Sequence, residues 1–185
     1  MTNNWYNLLE EICKNSKYSV LFKGGMCMIK ASDIMNTKVL SIGPTATVEE
    51  AVKIFSQNKI SGLPVVDDNN KLIGILTERD IVVFSSDLHI IPLMSSSNWI
   101  SPYTDVSKIS SSKRGYDLIS KTQVDKIMTK KLFDVTGDAT WYEIVKVMKS
   151  GKINHIPVVD KARKLIGIIT RTDMLNYIAE HGLEE

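Results

Sequence analysis

Two stretches of the chain carry the same residue types at the same spacing: glycine, two apolar residues, threonine and, three positions later, aspartate. They are residues 74–80 (GILTERD) and 167–173 (GIITRTD). Such a threonine and acid can cap a helix, because the hydroxyl accepts from a free amide and the acid lies at the positive end of the helix dipole. The same carboxylate can accept hydrogen bonds from the two hydroxyls of a ribose, with the helix-start amides open to phosphate oxygens. The pattern leaves both interpretations open.

The two patterns belong to a long internal repeat. A shift of 93 residues aligns 34–82 with 127–175 without a gap, and 21 of the 49 aligned positions are identical, far more than chance gives. The best-matched parts are GLPVVDDNNKLIGILTERDIV from Gly62 and HIPVVDKARKLIGIITRTDML from His155. A helix cap needs neither the preceding Gly-apolar-apolar strand nor a duplicated Pro-Val-Val-Asp segment. The whole combination is therefore more specific than a cap alone.

Each copy predicts a short strand followed by an amphipathic helix. The strands are predicted at the apolar runs 39–42 and 132–135. Capping boxes, Thr47 with Glu50 and Thr140 with Glu143, predict where the helices begin. The apolar helix faces consist of Val48, Ala51, Val52 and Phe55 in the first copy and of Trp141, Ile144, Val145 and Met148 in the second.

Two further strands and a second helix complete each copy. After Pro64 and Pro157 the runs VVD and KLIGIL (or KLIGII) indicate strands, joined by the polar turns DDNN and KAR. The second helices are predicted to follow from Thr77 and from Thr170. Each copy is therefore a β-α-β-β-α unit of the α/β class, too small to bury a sufficient core alone. Two copies that cover each other's apolar faces explain the duplication.

The rest of the chain differs in character from the repeats. The sequence predicts an N-terminal extension over 1–30, a first repeat over 31–84, a serine-rich connection over 85–121, a second repeat over 122–179 and a tail over 180–185. The extension begins with an amphipathic stretch that fits a helix docked either on the repeats or on a partner. The polar, weakly periodic connection is typical of a long surface segment.

Composition and charge argue against several classes of protein. The net charge of +2 is too close to zero to indicate binding to nucleic acid or to an anionic membrane. Two cysteines without C-x-x-C spacing and three scattered histidines give neither a disulfide framework nor a metal-binding pattern. No apolar run reaches the roughly 20 residues of a membrane span, and Glu10 and Glu11 stand where a signal peptide needs an apolar core. These features predict a cytoplasmic protein without a metal.

The two copies resemble a pair of CBS domains, the cystathionine-β-synthase-type repeats that together form a Bateman module. The resemblance rests on the two long matching segments, on the leads DIM at 33–35 and KIM at 126–128, and on the capped helix of each copy. It covers about 31–84 and 122–179. It implies tandem β-α-β-β-α repeats packed about a pseudo-two-fold axis, with two clefts that bind AMP, ADP, ATP or S-adenosylmethionine. It also implies a homodimer.

The resemblance further implies which residues hold the ligand. At one site Thr170 and Asp173 would hold the ribose, and the base would contact Ile168, Met35, Leu40, Ile60 and Ser61. At the other, Thr77 and Asp80 would hold the ribose, and the base would contact Ile75, Met128, Phe133, Ile153 and Asn154. The candidate phosphate contacts are His155 and Arg79; they also fit ordinary surface positions, and the apolar residues fit ordinary core positions. Because His155 replaces Gly62 and Thr172 replaces Arg79, two unequal sites are expected.

These residues allow three possible functions to be compared. The leading hypothesis is a stand-alone, non-catalytic regulatory module whose adenine ligand biases an unidentified protein partner. The alternative is a structural, protein-interaction module with empty clefts, in which the threonines and aspartates only cap helices. An enzyme acting on nucleotides is disfavoured, because the sequence contains no nucleophile–base pair, no P-loop and no metal-binding acid cluster.

Overall fold

The computed structural model describes residues 29–87 and 119–181. The chain divides into two compact units, one formed by Met1–Val39 with Phe133–Glu185 and one formed by Leu40–Leu132. We call them the second-repeat unit and the first-repeat unit, after the repeat body that each contains. Residues 1–28 of the predicted extension, 88–118 of the predicted connection and 182–185 of the predicted tail lie outside the described residues.

The described elements follow the repeat. In chain order they are α1 (Ala31–Ile34), α2 (Val48–Asn58), β1 (Gly62–Val66), β2 (Leu72–Thr77), α3 (Glu78–Asp87), α4 (Val124–Ile127), β3 (Val135–Thr136), α5 (Trp141–Gly151), β4 (His155–Val159), β5 (Leu165–Thr170) and α6 (Arg171–His181). None of these helices is long and apolar enough to cross a membrane. The mixed helix and strand content agrees with tandem β-α-β-β-α repeats.

The predicted capping boxes begin α2 and α5. The amide of Glu50 donates to Oγ1 of Thr47 at 3.2 Å, and the amide of Thr47 donates to the Glu50 carboxylate at 2.8 Å. Thr140 and Glu143 repeat this arrangement at 3.4 and 2.8 Å. Each Glu is exposed, and the hydrogen bond from the threonine amide lowers its pKa because it favours the charged carboxylate.

The Asp that ends each Pro-Val-Val-Asp segment forms the turn of a hairpin. β1 pairs antiparallel with β2, and β4 with β5. Oδ1 of Asp67 accepts from the amides of Asn69 and Lys71, both at 2.9 Å. Oδ1 of Asp160 makes the equivalent bonds at 2.8 Å. Asparagine and aspartate side chains bond the backbone of their own turn in this way, which explains why the strands are joined where the sequence predicts.

The predicted first strand is shorter than expected in both repeats. Of the run 39–42 only Ile42 pairs with β1, as an isolated parallel bridge to Val65. Of the run 132–135 only its last residue lies in β3, which pairs in parallel with β4. The second repeat has an additional contact between these segments. Arg163 in the β4–β5 turn forms a bidentate ion pair with Asp134, at 3.0 and 3.2 Å. The equivalent residues of the first repeat are serine and asparagine, which cannot form this pair.

Each unit has its own core, and part of each core comes from the segment that precedes the other repeat. We call these segments, 29–36 and 122–129, the leading segments. Ala31 and Ile34 are buried against Trp141, Ile156 and other residues of the second-repeat unit. In the other unit, Val124 is fully buried in the core that contains the first repeat. The two repeats therefore exchange their leading segments.

The second helix of the first repeat extends beyond the predicted end of that repeat. α3 continues to Asp87, three residues into the segment 85–121 that was predicted as a connection. Ser85 is buried on this helix, and its hydroxyl donates to the carbonyl of Ile81 at 2.7 Å. The helix can continue through this serine, because a serine that bonds back to the preceding turn is tolerated inside a helix.

Candidate functional site

The Thr-x-x-Asp pattern forms the same hydrogen-bonded turn in both repeats, and each turn joins a strand to the helix that follows. Oδ2 of Asp80 accepts from the amide of Thr77 at 2.7 Å and from its hydroxyl at 2.6 Å, while the amide of Asp80 donates to that hydroxyl at 3.3 Å. Asp173 and Thr170 repeat these three hydrogen bonds at the same distances. We call the two features the Asp80 turn and the Asp173 turn. In both, one carboxylate oxygen is held and its orientation is fixed.

The strand before each turn pairs with a leading segment. Ile168 in β5 exchanges two main-chain hydrogen bonds with Asn36, at 2.9 and 3.0 Å. Ile75 in β2 does the same with Thr129, at 3.1 and 2.9 Å. Each turn is therefore assembled from two distant parts of the chain, and the main chain fixes which residue of the leading segment lies beside it.

The glycine that opens each pattern makes room for a methionine of the leading segment. A β-carbon on Gly74 would overlap the sulfur of Met128, and a β-carbon on Gly167 would overlap the sulfur of Met35. Both glycines are buried in their strands. The predicted base contacts Met35 and Met128 therefore pack directly on the strand that leads into a turn, where glycine permits this close approach.

The two aspartates differ in the partner of the second carboxylate oxygen. Oδ1 of Asp80 accepts a hydrogen bond from the hydroxyl of Thr129 at 3.1 Å. Asn36 stands at the equivalent position, but its Oδ1 accepts from the amide of Lys38 at 2.9 Å. Within the part of the chain that the structure describes, no group donates a hydrogen bond to Oδ1 of Asp173. The Asp173 turn therefore keeps both acceptor positions of Oδ1, whereas the Asp80 turn has already used one.

His155 lies at the Asp173 turn. It begins β4 and stands opposite Thr170 in the hairpin register. Burial and the positive charge of Arg171 lower the pKa of His155 below its usual 6.5, and the Asp173 carboxylate opposes this shift only in part. The imidazole is therefore neutral at neutral pH and has one donor and one acceptor nitrogen.

The residues between Thr and Asp give the turns different charges. Glu78 and Arg79 follow Thr77, so that with Asp80 the turn carries one net negative charge. Arg79, a predicted phosphate contact, is exposed. One oxygen of Glu78 is buried, and among the described residues it has no hydrogen-bond partner. The second copy has Arg171 at the position of Glu78, and the Asp173 turn is neutral.

Some of the other predicted base contacts lie in the second-repeat unit. A β-carbon on Gly151 would lie 3.2 Å from both Phe133 and Ile153, so these two side chains are brought together beside the end of α5. Asn154, the next residue along the chain, is exposed. The role of these three residues at a base stays a prediction.

The remaining predicted contacts lie in the first-repeat unit. Ile60 and Ser61 follow α2, and the carbonyl of Ser61 accepts from the amide of Glu78 at 3.2 Å. This bond ties the segment before β1 to the start of α3. Leu40 is 44% exposed. Its role and those of Ile60 and Ser61 at a base also stay predictions.

Two residues that act at the turns were not among the predicted site residues. Thr129 binds Asp80, and Arg171 lowers the pKa of His155. Both lie at positions where the copies differ, Thr129 against Asn36 and Arg171 against Glu78. The predicted site residues were taken from the family resemblance, which assigned no role to either position. Treating the differing positions beside the shared motif as candidates would have found both.

Comparison with known proteins places these features in a family. The CBS domain family matches residues 31–87 and 124–180. An uncharacterized protein of Methanocaldococcus jannaschii is 34% identical over 157 residues, covering 82% of this chain and 91% of the relative. The structure of CBSX2 in complex with AMP, an Arabidopsis thaliana protein, has a TM-score of 0.61 at 23% identity and covers 82% of this chain and 96% of that one. The CBS domain pair of protein MJ0100, in complex with 5′-methylthioadenosine and S-adenosyl-L-methionine, has a TM-score of 0.62 at 22% identity and covers 83% and 98%.

Proposed function

Because the chain belongs to the CBS domain family, we propose that it is a non-catalytic regulatory module that binds an adenine-containing ligand at its Thr-x-x-Asp turns. The observation that carries the proposal is the fixed carboxylate of each turn, held by its threonine at 2.6–2.7 Å. Structures with the same fold bind such ligands, AMP in CBSX2 and S-adenosyl-L-methionine in MJ0100. AMP, ADP, ATP and S-adenosylmethionine share the adenosine that the turn would recognise.

The geometry of the Asp173 turn suits a ribose diol. Oδ2 of Asp173 already accepts two hydrogen bonds from Thr170, so the ligand hydroxyls would bind Oδ1. A carboxylate oxygen can accept two hydrogen bonds, which is the number that two vicinal hydroxyls donate. Hydrogen bonds to a charged acceptor contribute about 1.5–3 kcal/mol. The turn therefore supplies a strong contact to the part of the ligand that all four candidates share.

Regulation follows if ligand binding favours one conformation of the module over another. A ligand shifts such an equilibrium only by the difference between its affinities for the two conformations. A protein partner that binds one of them would then respond to the ligand concentration. The identity of that partner and a cytoplasmic location stay predictions.

Isothermal titration tests the proposal. Wild-type protein is titrated with AMP, ATP and S-adenosylmethionine, and we expect at least one of them to bind. Asp173→Ala should weaken binding at its turn by about 10- to 150-fold, because it removes the charged acceptor for the ribose. Asp68→Asn, an exposed acid in the β1–β2 turn, is the matched control and should bind like wild type. No heat with any of the three ligands would overturn the proposal.

The interaction module with empty sites is the second candidate, and one observation favours it. Thr77 and Asp80, like Thr170 and Asp173, make the hydrogen bonds of a helix cap. Thermal unfolding separates the two functions. A specific ligand at 100 times its dissociation constant adds about 2.7 kcal/mol to the stability of the native state. An unchanged melting temperature across the adenine ligands would favour the empty module.

We also propose that the module forms a homodimer. Val82 and Val83 on α3 and Leu175 on α6 are 50%, 48% and 48% exposed, and Val82 and Leu175 are equivalent in the repeat. Burying apolar side chains of this size contributes about 25 cal/mol per Å². Native mass spectrometry should give twice the chain mass. Val82→Lys with Leu175→Lys should give the monomer, and a wild-type monomer at micromolar concentration would refute the dimer.

A further inference from the structure

We propose that the hydroxyl of Thr129 holds the Asp80 turn closed, so that an anionic adenine nucleotide binds first and most tightly at the Asp173 turn. Thr129 is then a positioning residue that sets the difference in affinity between two turns of the same motif. The inference rests on the proposed function, because it specifies which of the two turns takes the ligand.

Thr129 closes the Asp80 turn by occupying one of the two acceptor positions of Oδ1. Thr77 occupies Oδ2 of Asp80, and the Thr129 hydroxyl donates to Oδ1 at 3.1 Å. The position of Thr129 is fixed, because its amide and carbonyl both pair with Ile75 at 2.9 and 3.1 Å. Only one acceptor position of Oδ1 is then left, so the second of two ribose hydroxyls can bind Asp80 only by displacing Thr129.

The Asp173 turn has the same backbone but lacks this closure. Asn36 pairs with Ile168 as Thr129 pairs with Ile75, so the two side chains start from equivalent positions. The Asn36 side chain accepts from the amide of Lys38 at 2.9 Å and so belongs to its own turn. Oδ1 of Asp173 consequently receives no hydrogen bond from the residues that the structure describes.

Charge favours the same turn independently of Thr129. The Asp80 turn contains Glu78 beside its aspartate and is negative overall, which repels a phosphate. The Asp173 turn contains Arg171 instead, whose positive charge acts on His155 at the same turn. Arginine pairs with phosphate through charge-assisted hydrogen bonds. The Asp80 turn also contains an arginine, Arg79, but its net charge is negative whereas that of the Asp173 turn is zero, so charge favours an anionic nucleotide at the Asp173 turn.

Titration with AMP tests the inference. It uses variants in which the aspartate of one turn is replaced, so that binding at the other turn is measured alone. Asp173→Asn should remove the tight binding and leave only the weak binding of the Asp80 turn. Adding Thr129→Val to that variant removes the donor but keeps the β-branched shape, and it should tighten the remaining site by about tenfold, the factor that corresponds to one ordinary hydrogen bond. Asn36→Thr in an Asp80→Asn background is the reverse test. It should weaken the Asp173 turn by a similar factor, because it introduces the hydroxyl that closes its counterpart.

The outcomes distinguish failure of the inference from failure of the proposed function. Equal affinities at the two turns, or no change on adding Thr129→Val to Asp173→Asn, would overturn the inference and leave the proposed function standing. Binding of S-adenosylmethionine without any binding of AMP would have the same effect. No binding of AMP, ATP or S-adenosylmethionine by any of these proteins would overturn the proposed function itself. Circular dichroism of each variant confirms that it is folded.

Discussion

At the scale of single residues, the glycine of each Gly-apolar-apolar-Thr pattern is required by space. Neither Gly74 nor Gly167 has a positive φ, so any residue could adopt its backbone conformation. What excludes a side chain is the methionine of the leading segment. The contact is closer to the methionine backbone at Gly167, where a β-carbon would lie 2.9 Å from Cγ and 3.1 Å from Cβ of Met35. At Gly74 the nearest atoms after the sulfur are Cγ and Cε of Met128, at 3.1 and 3.3 Å.

Gly167→Ala is therefore expected to destabilise the protein more than Gly74→Ala. Overpacking of a well-packed core costs about 1–3 kcal/mol. The outer atoms of Met128 can rotate away from a new methyl group, whereas Cβ of Met35 can move only with its backbone. Urea denaturation of both variants measures the two losses. Equal losses, or a greater loss for Gly74→Ala, would contradict this account of the glycines.

His155 predicts a pH dependence of stability. Burial and Arg171 lower its pKa in the native state, while the unfolded chain keeps the usual value of 6.5. As pH falls below 6.5 the unfolded state takes up a proton that the native state does not, so the free energy of unfolding decreases. The loss stops once the pH is below the native pKa, where both states are protonated. Above about pH 7 the group contributes no pH dependence.

His155→Gln should remove this part of the pH dependence. Urea denaturation of wild type and variant at intervals between pH 5 and pH 7.5 gives the difference in the free energy of unfolding. Other titrating groups are the same in both proteins and cancel from the difference. We expect wild type to lose stability relative to the variant as the pH falls. A difference that does not change with pH would show that the pKa of His155 is not lowered in the native state.

At the scale of elements, the second repeat contains an ion pair that the first repeat lacks. Arg163 and Asp134 join the β4–β5 turn to the residue before β3, and the first repeat has neither residue. β3 is a two-residue parallel strand, whereas the first repeat has only the bridge between Ile42 and Val65. The ion pair and the longer parallel pairing occur in the same repeat, and we expect the ion pair to stabilise the parallel pairing.

Arg163→Asn tests this link, because asparagine stands at the equivalent position 70 of the first repeat. Both residues have the left-handed backbone conformation, with φ of 65° and 62°, which asparagine tolerates well. The variant should lose about 0.2–1 kcal/mol of stability, the range for ion pairs that reach solvent. The loss should shrink at 1 M salt, where charges are screened. A loss that is the same at low and high salt would point to packing rather than charge.

The elements that the sequence predicted best are those whose signals are local. The capping boxes at Thr47 and Thr140 and the hairpin turns at Asp67 and Asp160 depend on residues within a few positions of each other, and all four are present. The first strands were predicted too long, because an apolar run does not reveal how many of its residues find a pairing partner. In the site, the Thr-x-x-Asp turns agree with the predicted caps. The bond from Thr129 to Asp80 was not predicted, because no motif marks position 129 and its equivalent, position 36, is an asparagine.

At the scale of the whole molecule, the exchange of leading segments determines which part of the chain a mutation affects. Ile34 lies at the start of the first repeat in sequence but belongs to the core of the second-repeat unit. It is 8% exposed, and truncation of such a side chain to alanine costs about 2–5 kcal/mol. The apolar pattern alone does not predict this exchange, since Ile and Met occupy the same positions in both leading segments. The family resemblance implied it, because it placed Met35 with Asp173 and Met128 with Asp80.

Ile34→Ala is expected to weaken the second repeat although it lies at the start of the first. Hydrogen exchange followed by mass spectrometry reports the protection of peptides from β4–β5 and from β1–β2 separately. Protection should fall in β4 and β5 and change little in β1 and β2. Val124→Ala, in the other leading segment, is the matched variant and should show the opposite pattern. Loss of protection in β1–β2 after Ile34→Ala would contradict the exchange.

The exchange has a further consequence for a chain that is cut. Cleavage between residues 87 and 119 would leave an N-terminal fragment that carries Ala31 and Ile34, and a C-terminal fragment that carries Val124. Each fragment would thus hold a piece of the hydrophobic core that the other needs. Two polypeptides made separately should then reconstitute the fold when mixed, as a non-covalent complex of one copy of each. Neither should be able to complete its own core alone.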